Sequence, residues 1–124
     1  MKDLATMGTH AAEVFLERRG FGIIECPYKD ADSDGPIDII AEDEGSMVFV
    51  AVKCRKDGDS LPTYEPDREE LESFACRWFR EHADDYSDMP FRFDFISILV
   101  IAEDRAIIKH YVNAMALDAA LEED

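Results

Sequence analysis

Basic residues, cysteine and long apolar runs are all scarce in this chain. Thirteen lysines and arginines stand against 29 aspartates and glutamates, a formal net charge of -16. Such a surface repels the phosphate backbone that supplies most non-specific nucleic-acid affinity, so the balance excludes a broad polyanion binder and leaves only local contact. The three cysteines, Cys26, Cys54 and Cys76, form no Cys-x-x-Cys pair. Neither a disulfide framework nor a zinc knuckle is indicated, and reduced, buried thiols are expected. No stretch approaches the ~20 apolar residues of a membrane-spanning helix, and the first fifteen residues carry an early acid in place of a signal peptide's apolar core. A cytoplasmic protein without a membrane partner is expected. Serine-hydrolase, phosphate-loop and dinucleotide fingerprints are missing too. His10, His82 and His110 are scattered without metal-ligand spacing, so packing or surface roles are expected for them.

What is present suffices for one core. Apolar residues make up 47% and aromatic residues 10% of 124 positions, the composition of a globular domain, and residues 1–124 are read as one unit. Leu4, Gly8, Ala12, Phe15 and Leu16 recur at helical spacing, which predicts a helix over 3–19 stopped at Gly20. Strands are expected at 21–26, 36–41, 47–54, 92–101 and 106–111. Hairpin turns are expected at Glu44-Gly45 and around Glu103-Asp104. A second helix is predicted over 67–82, with Leu71, Phe74, Ala75, Trp78 and Phe79 on one stripe, and a short last helix over 112–121. Residues 56–66, with two prolines and a glycine, read as a loop bordering a site. The order helix, strands, helix, strands gives an α/β mixed sheet flanked by helices.

Chemistry concentrates in residues 35–55, GPIDIIAEDEGSMVFVAVKCR. Strand alternation sets Asp38 opposite Ile37 and Ile39, and sets Ala51 and Lys53 opposite Val48, Val50 and Val52. Asp38 and Lys53 are thereby expected to reach one site. Phosphodiester hydrolysis uses a hard cation held by carboxylates, and a lysine two residues beyond an acid shares its face and can stabilise developing negative charge. Lys53, Arg55 and Lys56 form the densest basic group in the chain, which makes Arg55 and Lys56 the expected phosphate contacts.

This segment resembles the YraN-like family of small bacterial proteins assigned to the restriction-endonuclease-like superfamily. Its members commonly read Gly-Glu on the first helix, Gly-Glu-Ile-Asp-Leu-Ile-Ala on one strand and Val-Phe-Val-Glu-Val-Lys-x-Arg on the next. GPIDIIA matches at Gly35, Ile37, Asp38, Ile40 and Ala41. VFVAVKCR matches at Val48, Phe49, Val50, Val52, Lys53 and Arg55. Ala12, Leu16, Gly20, Arg92-Phe93-Asp94 and Asn113-Ala114 extend the likeness across most of the chain. The resemblance implies a restriction-endonuclease-like fold, Asp38 as metal ligand, Lys53 as catalytic partner, and Mg²⁺ or Mn²⁺ as cofactor if the protein is active.

The departures fall where the chemistry would sit. Thr9, Pro36 and Ala51 occupy positions where similar proteins carry glutamate. Glu13, one turn from Thr9, and Asp30, Asp32 or Asp34 are the candidate replacements for the missing metal ligands. The sequence therefore predicts an endonuclease-like, nucleic-acid-associated protein with a degenerate phosphodiesterase site, or a non-catalytic protein-interaction module on the same fold. A homodimer built on the Trp78 helix is a further expectation. Asp94 is expected either to neighbour the site or to pair with a basic residue.

Overall fold

The structure, a computed structural model, describes residues 4–27, 35–56, 60–63, 65–86 and 89–114. Helix α1 (Leu4–Arg18) ends where Gly20 takes a positive φ of 92°. The Gly20 N–H then donates to the Glu17 carbonyl and the Phe21 N–H to the Leu16 carbonyl. This closes the helix and turns the chain into β1 (Gly22–Glu25), with glycine where a side chain would be strained.

Strands β2 (Ile39–Asp43) and β3 (Ser46–Lys56) form a hairpin through Glu44 and Gly45, both at positive φ, 50° and 84°. Two consecutive left-handed residues give the turn whose twist matches paired strands. Helix α2 (Arg68–Glu81) starts at Asp67, whose side chain accepts from the Glu70 N–H, and is followed by the single-turn α3 (Ala83–Tyr86). Strand β4 (Phe91–Ala102) then lies parallel to β3, the α2 segment supplying the crossover that a parallel pair requires, and β5 (Arg105–Tyr111) returns antiparallel to it. The sheet order is β1-β2-β3-β4-β5, mixed, with a helix on either face. This is the α/β architecture of the restriction-endonuclease-like fold.

Alternation along the strands makes two cores. On one face Ala12 and Leu16 of α1 pack against Ile39, Ala41, Val48, Val50, Ile96 and Ile98. On the other, Leu71, Phe74, Ala75 and Trp78 of α2 cover Ile37, Ile40, Met47, Phe49 and Phe93. Phe49 is the hub of the second core, meeting Phe74, Trp78 and Phe93 at ring-centroid distances of 5.6 Å each. Trp78 is 2% exposed, and the apolar stripe of α2 faces the protein's own sheet.

Several expectations shift. The strand read at 36–41 begins only at Ile39 and runs on to Asp43, because Pro36 has no N–H to give a ladder and the backbone straightens into pairing after Asp38. Ile37 and Ile39 consequently fall on opposite faces, the α2 and α1 sides respectively, instead of sharing one. The thiols are free, but none is fully buried, and Cys76 is exposed on α2. The helix read at 112–121 lies outside the described residues beyond Ala114.

Candidate functional site at the fork of two strands

β2 begins only at Ile39, whereas β3 runs on to Lys56, so the β2–β3 ladder ends at the Ile39–Val50 pair. Asp38 sits in the fork. Its N–H donates to the Val50 carbonyl at 2.9 Å, and its Oδ2 accepts the Val52 N–H at 2.7 Å. The carboxylate thereby takes over, for one residue, the role of the strand that has turned away. Burial raises the Asp38 pKa above the ordinary carboxylate value, and the Val52 N–H and the charge of Lys53 pull it back only in part.

Lys53 and Arg55 project from the α2 side of β3 and are exposed. Arg55 Nη1 donates to the Ser60 carbonyl and hydroxyl at 3.4 and 3.3 Å, which draws residues 60–63 toward the strand. Ser97, beside Lys53 in the ladder, is buried and donates its hydroxyl to the Pro62 carbonyl at 2.7 Å. Residues 60–63 thus lie beside the β3 and β4 positions of Arg55 and Ser97. Lys56 pairs with Val100, which packs on the α1 side, so it points away from Lys53 and Arg55. Ala51, at the position of the motif acid, is 2% exposed and faces the same side as Lys53, beside Phe95.

The α1 side holds the helical half of the site. Thr9 and Glu13 line a cavity of about 330 Å³ together with Ala5, Thr6, His10, Cys26 and Pro27. The Cys26 thiol donates to Glu13 and is pushed up to about 12, first by burial and then by the negative charges of Glu13 and Asp38. A protonated thiol thus lies within the influence of both acids. Glu13 also faces His10 Nδ1 at 3.5 Å, so the carboxylate that could replace a glutamate at position 9 already has two partners.

A family model described as uncharacterised protein family UPF0102 matches residues 8–98. The chain belongs to this family. Among its relatives, a UPF0102 protein of Geobacter sulfurreducens is 31% identical over 120 residues, covering 94% of this chain and 91% of its own length. Another, of Geobacter metallireducens, is 33% identical with 94% of each chain covered. A third, of Pelobacter propionicus, is 32% identical over 94% of this chain and 84% of its own. The resemblance read from the paired strand motifs is therefore a family membership that extends nearly end to end.

Among the described residues of this UPF0102 member, the donors do not fit the hard divalent cation that the superfamily implies. Mg²⁺ is held by carboxylate oxygens in near-octahedral geometry. Here Ala51 offers a methyl group, Thr9 a neutral hydroxyl, Pro36 no side-chain donor, and Asp38 one carboxylate with an oxygen already accepting from Val52. Among the described residues no group of three histidine, cysteine, aspartate or glutamate side chains is arranged to hold a metal ion. Asp30, Asp32 and Asp34 lie outside the described residues.

Asp94 belongs to a different arrangement of the UPF0102 fold. Buried at 1% exposure, it accepts from Arg92 Nε at 3.0 Å, from the Asn113 N–H at 2.8 Å and from His110 Nε2 at 2.8 Å. Arg92 reaches on to Asp43 at 3.1 Å, tying β4 to the β2–β3 hairpin. Of the two alternatives read for Asp94, the pairing with a basic residue is the one found. His82 Nδ1 donates to the Trp78 carbonyl at 2.8 Å, finishing α2, so two of the three histidines have structural roles. The sequence reading missed Lys109, which the β4–β5 register sets directly across Ser97, on the face of Lys53. Its only signal in the sequence is its place in an alternating strand, and that does not reveal a neighbour two strands away.

Proposed function

We propose that this protein is endonuclease-like and nucleic-acid-associated, with a metal-dependent phosphodiesterase site that has degenerated, so that it holds phosphate without cutting it. The carrying observation is the pairing of a preserved cation with a missing acid: Lys53 stands exposed at the fork, whereas the acid position two residues before it is the buried Ala51. Lys53 and Arg55 are the residues that contact phosphate in this reading. Asp38 orders the fork by accepting from Val52, and Mg²⁺ or Mn²⁺ is not required for binding. At physiological ionic strength charges more than about 8 Å away are largely screened, so a local cationic edge attracts phosphate despite the net charge of -16.

Incubating single-stranded, duplex and branched DNA, and RNA, with the protein in Mg²⁺ or Mn²⁺ tests the reading. Binding without strand scission is expected, with any trace of cleavage equal in wild type and Asp38→Ala. Cleavage that disappears in Asp38→Ala would overturn it. The strongly acidic composition favours a second reading, a non-catalytic protein-interaction module, and the absence of any oligonucleotide binding at low salt would decide for that alternative.

A further inference from the structure

Three of the thirteen basic residues of this acidic chain come together across three strands. In the sheet, Lys53 of β3 pairs with Ser97 of β4, and Ser97 pairs with Lys109 of β5. Residues opposite one another in a ladder share a face, so the two lysines stand on the α2 side on either hand of Ser97, two strand spacings or about 10 Å apart. Arg55 lies on that face as well, two residues along β3. All three cations are exposed.

Between the lysines lies residues 60–63, anchored by the Ser97 hydroxyl at the Pro62 carbonyl. Its Leu61 and Pro62 are half-buried, leaving some apolar surface between the charges. Lys109 is placed by an aromatic stack: its Nζ lies 5.0 Å from the centroid of the Tyr111 ring, and that ring stacks on Phe95 at 5.5 Å with an interplanar angle of 22°. Phe95 is the ladder neighbour of Ala51, so the stack leads from the motif strand out to the second lysine.

We infer that Lys53, Arg55 and Lys109 form a binding face for single-stranded nucleic acid, with Lys109 as a second phosphate contact and Tyr111 as the residue that positions it. The inference rests on the proposed reading of Lys53 and Arg55 as phosphate contacts. Two physical reasons favour a single strand. A duplex carries one phosphate charge per ~1.7 Å of axis, twice the density of one strand, and would bring the excess against the surrounding acids. A single strand also leaves its bases free to rest on the apolar loop between the cations, where a duplex keeps them stacked inside.

Fluorescence anisotropy of a labelled oligothymidylate, titrated with the whole protein at several salt concentrations without divalent metal, tests this. Lys109→Gln is expected to weaken binding about fivefold near 0.1 M salt and to reduce the salt slope by about 0.7, the change for one single-strand phosphate contact. Tyr111→Leu is expected to weaken binding and Tyr111→Phe to restore it, since the ring and not the hydroxyl holds the lysine. Arg18→Gln, an exposed charge on α1 across the sheet, controls for net charge and is expected to change neither quantity. If Lys53→Gln weakens binding and Lys109→Gln does not, the inference fails while the functional reading stands. If wild type binds no oligonucleotide, the functional reading fails with it. Tighter binding to the matching duplex at equal salt would overturn the single-strand assignment.

Discussion

His110 Nε2 donates to Asp94 Oδ2 at 2.8 Å, and both side chains are almost fully enclosed, 2% and 0% exposed. The other ring nitrogen, Nδ1, is buried with no hydrogen-bond partner among the described residues, and the imidazole lies edge-on to Phe15 and Phe21 at 5.9 and 5.7 Å. The pair joins α1, β4 and β5. Burial alone would raise the Asp94 pKa, but His110, Arg92 and the Asn113 N–H together hold it below the ordinary carboxylate value. A carboxylate depressed in the folded state contributes stability above its unfolded pKa of about 3.9 and loses that contribution as pH falls through the native value. Asp94→Asn is therefore expected to destabilise the protein by about 3 kcal/mol at neutral pH, the scale for breaking a buried charged pair. Urea denaturation at neutral and acid pH should show the gap between variant and wild type narrowing in acid.

Asp38 has the opposite sign. Its pKa is raised in the folded protein, chiefly by burial, so the fold is favoured fully below the unfolded carboxylate pKa and loses stability as pH rises through the native value. Asp38→Asn keeps an oxygen for the Val52 N–H and removes the buried charge, and is expected to be at least as stable as wild type at neutral pH. Asp38→Ala leaves that N–H without its acceptor and should lose about 1–2 kcal/mol. The order asparagine, wild type, alanine in denaturation midpoints checks the prediction.

Helix α1 packs tightly against β3 at Gly8. A Cβ added there would come within 2.7 Å of Cys54 Cβ, an atom fixed to the β3 backbone that cannot swing aside. Gly8→Ala is expected to push the helix outward and destabilise the protein by about 1–3 kcal/mol, despite alanine's better helix propensity. Pairing it with Cys54→Gly, which removes the opposing atom, should recover part of the loss in a double-mutant cycle.

Glu44 adopts φ 50° in the β2–β3 turn, a conformation that side chains of its type disfavour. Asparagine tolerates it better and precedes glycine in the preferred version of this turn. Glu44→Asn is expected to raise stability by about 0.5–1 kcal/mol, part of the roughly 1–2 kcal/mol left-handed penalty, without altering oligonucleotide binding. A thermal melt and the anisotropy titration measure both.

The periodicities carry the architecture. The stripe from Leu71 to Trp78, the alternation from Val48 to Val52, and Glu44-Gly45 each specify a local geometry that survives folding. Ile37 and Ile39 part to opposite faces for a physical reason: alternation holds only inside a ladder, and Pro36 delays the ladder until Ile39. Lys109 and Lys53 are 56 positions apart and meet only through Ser97, a relation set by sheet order. Nor does the sequence tell which acids of this UPF0102 chain remain unengaged, because Glu13 acquires its thiol partner only when β1 packs beside α1.

The α2 core contains the one tryptophan of the chain, stacked on His82 at 4.2 Å and edge-on to Phe49. Trp78 is therefore a natural optical probe whose emission follows the opening of this face, with no label needed. Its position among aromatic rings, on a different stretch of the sheet from the lysines, separates two signals: ultraviolet-excited emission reports unfolding, and the labelled oligonucleotide reports binding.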